Sequence, residues 1–257
     1  MAATPNFHGT ISDLGGPTAN MYGTACKLGR PGCAARNCLT PEICANLSAD
    51  PAPLLALMKR VRAIRGVRHA FVSSGIRFDL AMAGGGTRYI GELVRHHVSG
   101  RLKIAPEHVS ADVLRIMRKP PADAYTRFVA AIRYAAKSVG RACPIVEYFI
   151  SGHPGCTLRH MVELAEYLHR NQVKPEQVQD FYPAPLTLAA AMFYTGVDPL
   201  TGERVHVART DREKALQRAL LLHHKPEFHR KAREALREAG RPDRIGRDPD
   251  CLVPPGP

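Results

Sequence analysis

The sequence predicts an α/β fold built on a parallel sheet. Short apolar runs alternate with amphipathic helical stretches at intervals of about 30–40 residues. Each run ends in Gly, Pro or polar residues, as in "GIRFD", "APEH", "SGHPG" and "YPAPLT". Those are the residue types that line the C-terminal strand ends of such sheets. The chain has 257 residues, 45% of them hydrophobic, enough for one large domain or two small ones.

Residues 1–50 are rich in Gly, Pro, Cys and Asn and show weak periodicity, which predicts a loop-rich segment. From Asp50 the pattern becomes regular. "DPAPLLALMKRVRAIRG" carries an N-cap Asp, early prolines and helical apolar spacing, and stops at Gly66. "HAFVSSGIRFD" then reads as a strand, "TRYIGELVRHHVSG" as a helix and "RLKIAPEH" as a strand. "SADVLRIMRK" is a short helix with Ser110 as N-cap, and "DAYTRFVAAIRYAAKSVG" a long amphipathic one. "CPIVEYFISGHPG" is a strand running into a Gly/Pro turn, "TLRHMVELAEYLHRN" a helix and "EQVQDFYPAPLT" a further strand. "TDREKALQRALLLHH" and "PEFHRKAREALREAG" are two basic helices, and the tail "DPDCLVPPGP" is expected to be poorly ordered. The alternation suits either a closed barrel or an open sheet.

The net charge is +13, concentrated in two places. Residues 51–108 hold ten Lys/Arg against three Asp/Glu, and residues 204–247 hold thirteen against six. These are solvated helix faces or a surface for phosphates or RNA. The N-terminus lacks the basic start and apolar run of a secretory signal, and no stretch of about 18 apolar residues exists to span a membrane. A reducing cytoplasm is the expected compartment, and there clustered thiols more often bind metal or do redox chemistry than form disulfides.

Four of the seven cysteines, Cys26, Cys33, Cys38 and Cys44, lie within 19 residues. Four soft thiolates suit zinc or an iron–sulfur cluster, although the gaps match neither two CxxC knuckles nor a ferredoxin run. Three could be ligands with the fourth incidental, or all four could be reduced, partly buried small residues. Glu107 and His108, side by side at a strand end, suit proton exchange or polar contacts to a ligand, or the capping of the helix that follows. Arg77 and Asp79 alternate on one predicted face. Gly152 and Gly155 in "SGHPG" permit close backbone approach to a ligand. The pairs His96-His97 and His223-His224 point about 100° apart on their helices and read as packing or surface residues.

Taken together, "GTISDLGGPTANMYG", the four-cysteine group, "SSGIRFD", "HHVSGRLKIAPEH", "VLRIMRKP", "SGHPG", "QVQDFYPAPLT", "FYTGVDPLTG", "EKALQRALLLHHKPE" and "RIGRDPDCLVP" resemble the YgiQ-like family of radical SAM proteins. They span nearly the whole chain in family order. The resemblance implies a partial radical-SAM-type (βα) barrel. Residues 51–187 would supply its later strands, residues 1–50 a loop-rich Cys segment, and residues 188–257 a mostly helical C-terminal region. Such enzymes hold a 4Fe-4S cluster on a CxxxCxxC loop, where S-adenosylmethionine is reduced to a 5′-deoxyadenosyl radical. This sequence has no CxxxCxxC. The resemblance implies that the motif lies upstream, in a missing N-terminal half of the barrel that acts as partner, and that this chain alone generates no radical.

By the same resemblance, "KIAPEH" matches a strand whose polar end helps to bind S-adenosylmethionine, and "YFISGHPG" the next strand, whose apolar residue and glycine flank the adenine. Arg77, Glu107, His108, Ile150 and Gly152 are therefore the candidate cofactor contacts. The superfamily often has Glu just after this turn, where this sequence has Cys156. The four cysteines would then be a second metal site, iron–sulfur or zinc, or a structural clip. Parallel strands taken from a barrel leave open edges and an uncovered face, so the chain alone is expected to be aggregation-prone and to bind no S-adenosylmethionine. A zinc-stapled basic RNA-binding module is the rival reading.

Overall fold

A computed structural model describes residues 2–16, 18–29, 33, 37–40, 42–175 and 177–256, except the side chain of Gln177. The protein is a mixed α/β molecule of two compact units. The first comprises Met1–Ala105 and Asp123–Val146, the second Pro106–Ala122 and Glu147–Pro257. Each unit has its own apolar cluster. Each unit is built from two separate chain segments.

In the first unit, β1 (Thr10–Ile11) pairs in parallel with β4 (His69–Ala70), and β2 (Ala25–Cys26) pairs antiparallel with β3 (Leu47–Ser48). The N-terminal segment is therefore held by backbone pairing as well as by loops. Beyond β1, the Leu14 N–H donates to the Phe71 carbonyl and the Ala19 N–H to that of Gly75. Leu14 and Ala19 pack on the core. Helix α1 (Ala52–Arg62) starts where Asp50 accepts a hydrogen bond from the Ala52 N–H at 3.0 Å, and it buries Leu54 and Met58.

The predicted strand over residues 69–79 is the main local difference. The strand β4 covers only His69–Ala70, with Phe71 still bonded through its backbone to Ile11 and Leu14, and "FDLAM" forms the short helix α2 (Phe78–Met82). The Asn20 side chain explains the break. Its amide donates to the Arg77 carbonyl and accepts from the Arg77 N–H, both at 2.8 Å, so Arg77 is taken up as the N-cap instead of pairing with a strand. Helix α3 (Gly86–Glu92) follows, its start crossing so close to Ala81 that a Cβ at Gly86 would meet the Ala81 carbonyl oxygen at 1.9 Å. A π-helical turn (Leu93–His97) carries the chain on, and α5 (Ala122–Ser138) packs Phe128 and Ile132 into the same core.

A three-stranded sheet has the order β5 (Leu102–Glu107), β6 (Ile145–Ser151), β7 (Gln177–Asp180). β6 and β7 are parallel, with Ile150 opposite Gln179 and Ser151 opposite Asp180. In the second unit α4 (Ala111–Met117) follows β5. α6 (Leu158–Arg170) starts in a capping box, where the Thr157 hydroxyl accepts from the His160 N–H and the His160 ring accepts from the Thr157 N–H. The sequence predicts no separate element for α7 (Leu188–Thr195), because this helix is nearly uniformly apolar and shows no amphipathic period. α8 (Asp211–Leu221) and α9 (His229–Glu238) bury Leu216, Leu220, Ala232, Ala235 and Leu236 against α6 residues such as Leu164 and Leu168.

The tail is held in place, contrary to the expectation of poor order. Leu252 and Val253 are buried in the second core, Ile245 bridges to Val253, and the Leu252 N–H donates to the Arg244 carbonyl at 2.9 Å. Two apolar residues in "CLVPPGP" are enough to anchor an otherwise breaker-rich stretch.

Candidate functional site

The C-terminal ends of β5, β6 and β7 bring polar groups together in the second unit. Glu107 ends β5 with φ at +66°, a left-handed conformation that a non-glycine residue adopts only when its surroundings hold it there. Its carboxylate pairs with Lys119 Nζ at 2.7 Å, and both side chains are about a quarter to a third exposed. At the end of β6, Ile150 is half-buried and Gly152 has φ of +73°. The Ser151 hydroxyl donates to Asp180 at 2.6 Å across the β6–β7 pair, and Arg218 of α8 donates to the other Asp180 oxygen at 2.6 Å. These residues rest on a support that sequence reasoning missed. Gln217 of α8, fully buried, accepts the Gly152 N–H at 2.8 Å and donates to the Cys156 carbonyl at 2.9 Å, which fixes the "SGHPG" turn from both sides. A polar residue in an apolar helical stripe is the signal that points to it.

His108 is 1% exposed. Its Nδ1 accepts the Ser110 N–H at 3.0 Å, so the neutral ring carries its proton on Nε2, 3.6 Å from the Cys156 sulfur. Burial pulls its pKa down to about 3, helped by His160 and His153. Burial likewise pushes the Cys156 thiol well above its ordinary value. The pair is neutral and internal. His153 is also buried, its Nδ1 at 2.7 Å from the Pro154 carbonyl and its ring against Phe181.

Arg77 is in the first unit. Its guanidinium pairs with Asp79 at 2.8 Å and also donates to the Leu39 carbonyl at 3.3 Å. The two charges expected to form one ligand-facing set are thus each other's partner, with the Arg side chain 17% and the Asp side chain 10% exposed.

The cysteines of the N-terminal segment occupy loops beside the β2–β3 pair. Cys26 ends β2 opposite Leu47, the Cys38 carbonyl accepts from the Cys44 N–H at 2.9 Å, and the Cys44 carbonyl accepts from the Leu47 N–H at 2.9 Å. The Asn37 side chain accepts from the Leu39 and Thr40 N–H groups. Cys26 and Cys33 are exposed, Cys38 and Cys44 half-buried, and all are free thiols. Part of the intervening loop lies outside the described residues. Among the described residues no group of three or more His, Cys, Asp or Glu is placed to hold a metal ion. Nor is any helix among them long and apolar enough to cross a membrane.

Residues 176–256 match a domain of unknown function, DUF3362. The chain is 46% identical over 250 residues to a UPF0313 protein of Clostridium perfringens (strain 13 / Type A), covering 96% of this chain and 38% of that one. A UPF0313 protein of Methanosarcina acetivorans is 45% identical over 251 residues, 97% of this chain and 34% of its own length. One from Geobacter sulfurreducens is 49% identical over 243 residues, 94% of this chain and 40% of its own. The chain thus spans about two fifths or less of the length of these relatives. Over nearly its whole length, the chain is similar to part of these UPF0313 proteins.

Proposed function

We propose that this chain supplies one wall of an S-adenosylmethionine pocket, and part of a substrate site, in a larger radical SAM enzyme. The observation that carries the proposal is the set of strand ends in the second unit. Parallel α/β sheets bind ligands beyond the carboxyl ends of their strands. Here those ends carry a strained Glu107, a bare Gly152 and the Ser151–Asp180 pair. The Gly152 Cα is open on its unsubstituted side: among the described residues a Cβ there would meet only Phe181, at 3.9 Å. The order of the YgiQ-like motifs and the UPF0313 relatives support the same reading.

Ile150 and Gly152 suit contact with a flat base, because an apolar side chain and an unsubstituted Cα form a surface without polar groups. Glu107 suits a polar or cationic group of the ligand, with Lys119 moving aside. His108, buried and hydrogen-bonded internally, acts by holding the turn between β5 and α4. Arg77 acts within the first unit, on Asp79 and the cysteine loop. The donor set for a radical-generating cluster does not fit this chain. It lacks CxxxCxxC and, among its described residues, any grouped metal ligands, so no radical step is assigned to it. Exposed Tyr182, Leu186, Leu188 and Tyr194, after β7, suit burial against further chain.

The test compares this chain with the full-length Clostridium perfringens relative, both purified and iron–sulfide reconstituted without oxygen. With dithionite and S-adenosylmethionine, the relative should release 5′-deoxyadenosine and this chain none. A Val in place of the glycine equivalent to Gly152 should weaken S-adenosylmethionine binding to the relative at least tenfold. Micromolar binding by this chain as a soluble monomer, or no cofactor turnover by the relative, refutes the proposal.

A further inference from the structure

A second candidate site lies in the first unit. A cavity of about 530 Å³ opens between the end of α1, β4, the π-helical turn and the segment after α5. Its lining includes Arg62, Arg68, Arg95, Arg141, His69 and His96, and no acidic residue. The fold gathers part of the basic excess of residues 51–108 around one concavity.

The four guanidiniums are not equivalent. Arg62 faces Glu92 at 2.6 Å, so its charge is balanced, although its Nε is buried with no acceptor among the described residues. Arg141 donates to the carbonyls of Val94, Arg95 and Val98 at 2.9, 2.6 and 3.2 Å. It thereby covers the helix end whose partial negative charge would otherwise repel an anion. Among the described residues the Arg68 side chain donates only to the His8 carbonyl, a neutral group, and the Arg95 side chain has no partner. Two guanidiniums therefore keep their charge and most of their donors for a ligand. His96 responds to this field: burial and then the neighbouring Arg62 depress its pKa, with His97 and Arg95 adding to the effect and only Glu92 opposing it.

The same cavity has an aromatic wall. His69 and Phe71, two apart along the chain and so on one face, stack with ring centres 5.5 Å apart and planes within 8°. Arginines with free donors beside stacked flat rings are the combination that binds a phosphate joined to an aromatic base.

We propose that this cavity binds a nucleotide, its phosphate on Arg68 and Arg95 and its base against the His69–Phe71 wall, supplied either as a free nucleotide or as a unit of single-stranded nucleic acid. The site differs in chemistry from the one proposed for S-adenosylmethionine, a sulfonium cation that these guanidiniums would repel. It therefore stands whether or not the cofactor reading holds.

The test measures anisotropy of a fluorescein-labelled single-stranded RNA hexamer with the full 257-residue chain, with AMP and inorganic pyrophosphate as competitors. Arg68→Gln with Arg95→Gln should weaken binding at least tenfold and shrink the salt slope by about 0.7 for each phosphate no longer held. Phe71→Leu should weaken AMP but not pyrophosphate. Arg230→Gln with Arg237→Gln, an equal charge change on α9, is the control and should do little. Circular dichroism checks that each variant folds. Competition by AMP as strong as by unlabelled hexamer identifies a free nucleotide as the source; hexamer binding that AMP does not displace identifies single-stranded nucleic acid. Either supports the proposal. Absent binding, equal losses in the α9 control, or displacement of the hexamer by pyrophosphate as strong as by AMP overturns it.

Discussion

Replacing Asp198 with Ala should destabilise the second unit severely. Asp198 stands in the turn after α7 with its side chain 3% exposed. Arg118, itself held at φ +54° just beyond α4, donates to both carboxylate oxygens at 2.8 Å, and the Leu200 N–H donates to Oδ1 at 2.9 Å. Burial alone would raise the carboxyl pKa, but the hydrogen bonds from Leu200 and Arg118 more than reverse this and hold it below the ordinary range. Truncation leaves a half-buried guanidinium without its counter-charge, at a cost of about 3–5 kcal/mol. The Arg118 side chain is 20% exposed and can reach water, which places the expectation near the lower end, about 3 kcal/mol. With a urea slope of about 2–3 kcal/mol per molar, the midpoint should fall by roughly 1–1.5 M. Asp198→Asn keeps an acceptor for Leu200 and should recover about 1 kcal/mol. Urea unfolding followed by circular dichroism is the assay. A shift from Asp198→Ala below about 0.3 M, or an Asn variant no better than Ala, would refute the reasoning. Glu203→Gln provides the contrast: it removes an exposed pair with Arg115 and should leave the midpoint essentially unmoved.

Two further outcomes follow from buried groups. His108 and His223 have pKa values lowered to about 3 and about 4, chiefly by burial. Below the ordinary histidine value near 6.5 the unfolded chain binds protons that the folded chain does not. Stability should thus be full above pH 6.5 and fall by about 1.4 kcal/mol per pH unit for each histidine down to about pH 4, and His223→Gln should flatten that slope in pH-dependent melts. Thiol titration should find Cys26 and Cys33 reactive in the folded chain and Cys156 reactive only on unfolding, since the first two are exposed and the last is 0% exposed. A metal on the N-terminal thiols would slow the first class and leave the last unchanged.

The amphipathic helices are the legible part of the fold. α1, α5, α6, α8 and α9 coincide, to within about a residue, with the stretches whose apolar spacing announces them, because each buries one stripe. Residues 69–79 read as a strand because alternation and β-branched residues cannot register a distant side chain. Asn20, 57 positions away, converts Arg77 into a helix start. β1 is hidden in a stretch too short and too breaker-rich for a period of two to show. The residue types of the candidate site are visible in the sequence, but their division of labour is not. Glu107 ends β5 and Gly152 follows β6, whereas His108 turns inward and Arg77 spends its charge on Asp79. Gln217 cannot be placed by sequence, since nothing local ties α8 to a turn 65 residues earlier.

That buried glutamine also bears on where the protein can be cut. The DUF3362 match begins at residue 176, yet the amide that pins residues 152 and 156 comes from inside it, and Leu164 and Leu168 of α6 share a core with Leu220 and Leu236. A family boundary drawn from sequence recurrence runs through the middle of one folding unit. Swapping that segment between relatives would exchange half of a mortise joint, so chimeras joined at residue 176 should inherit their turn geometry from the donor of the later half.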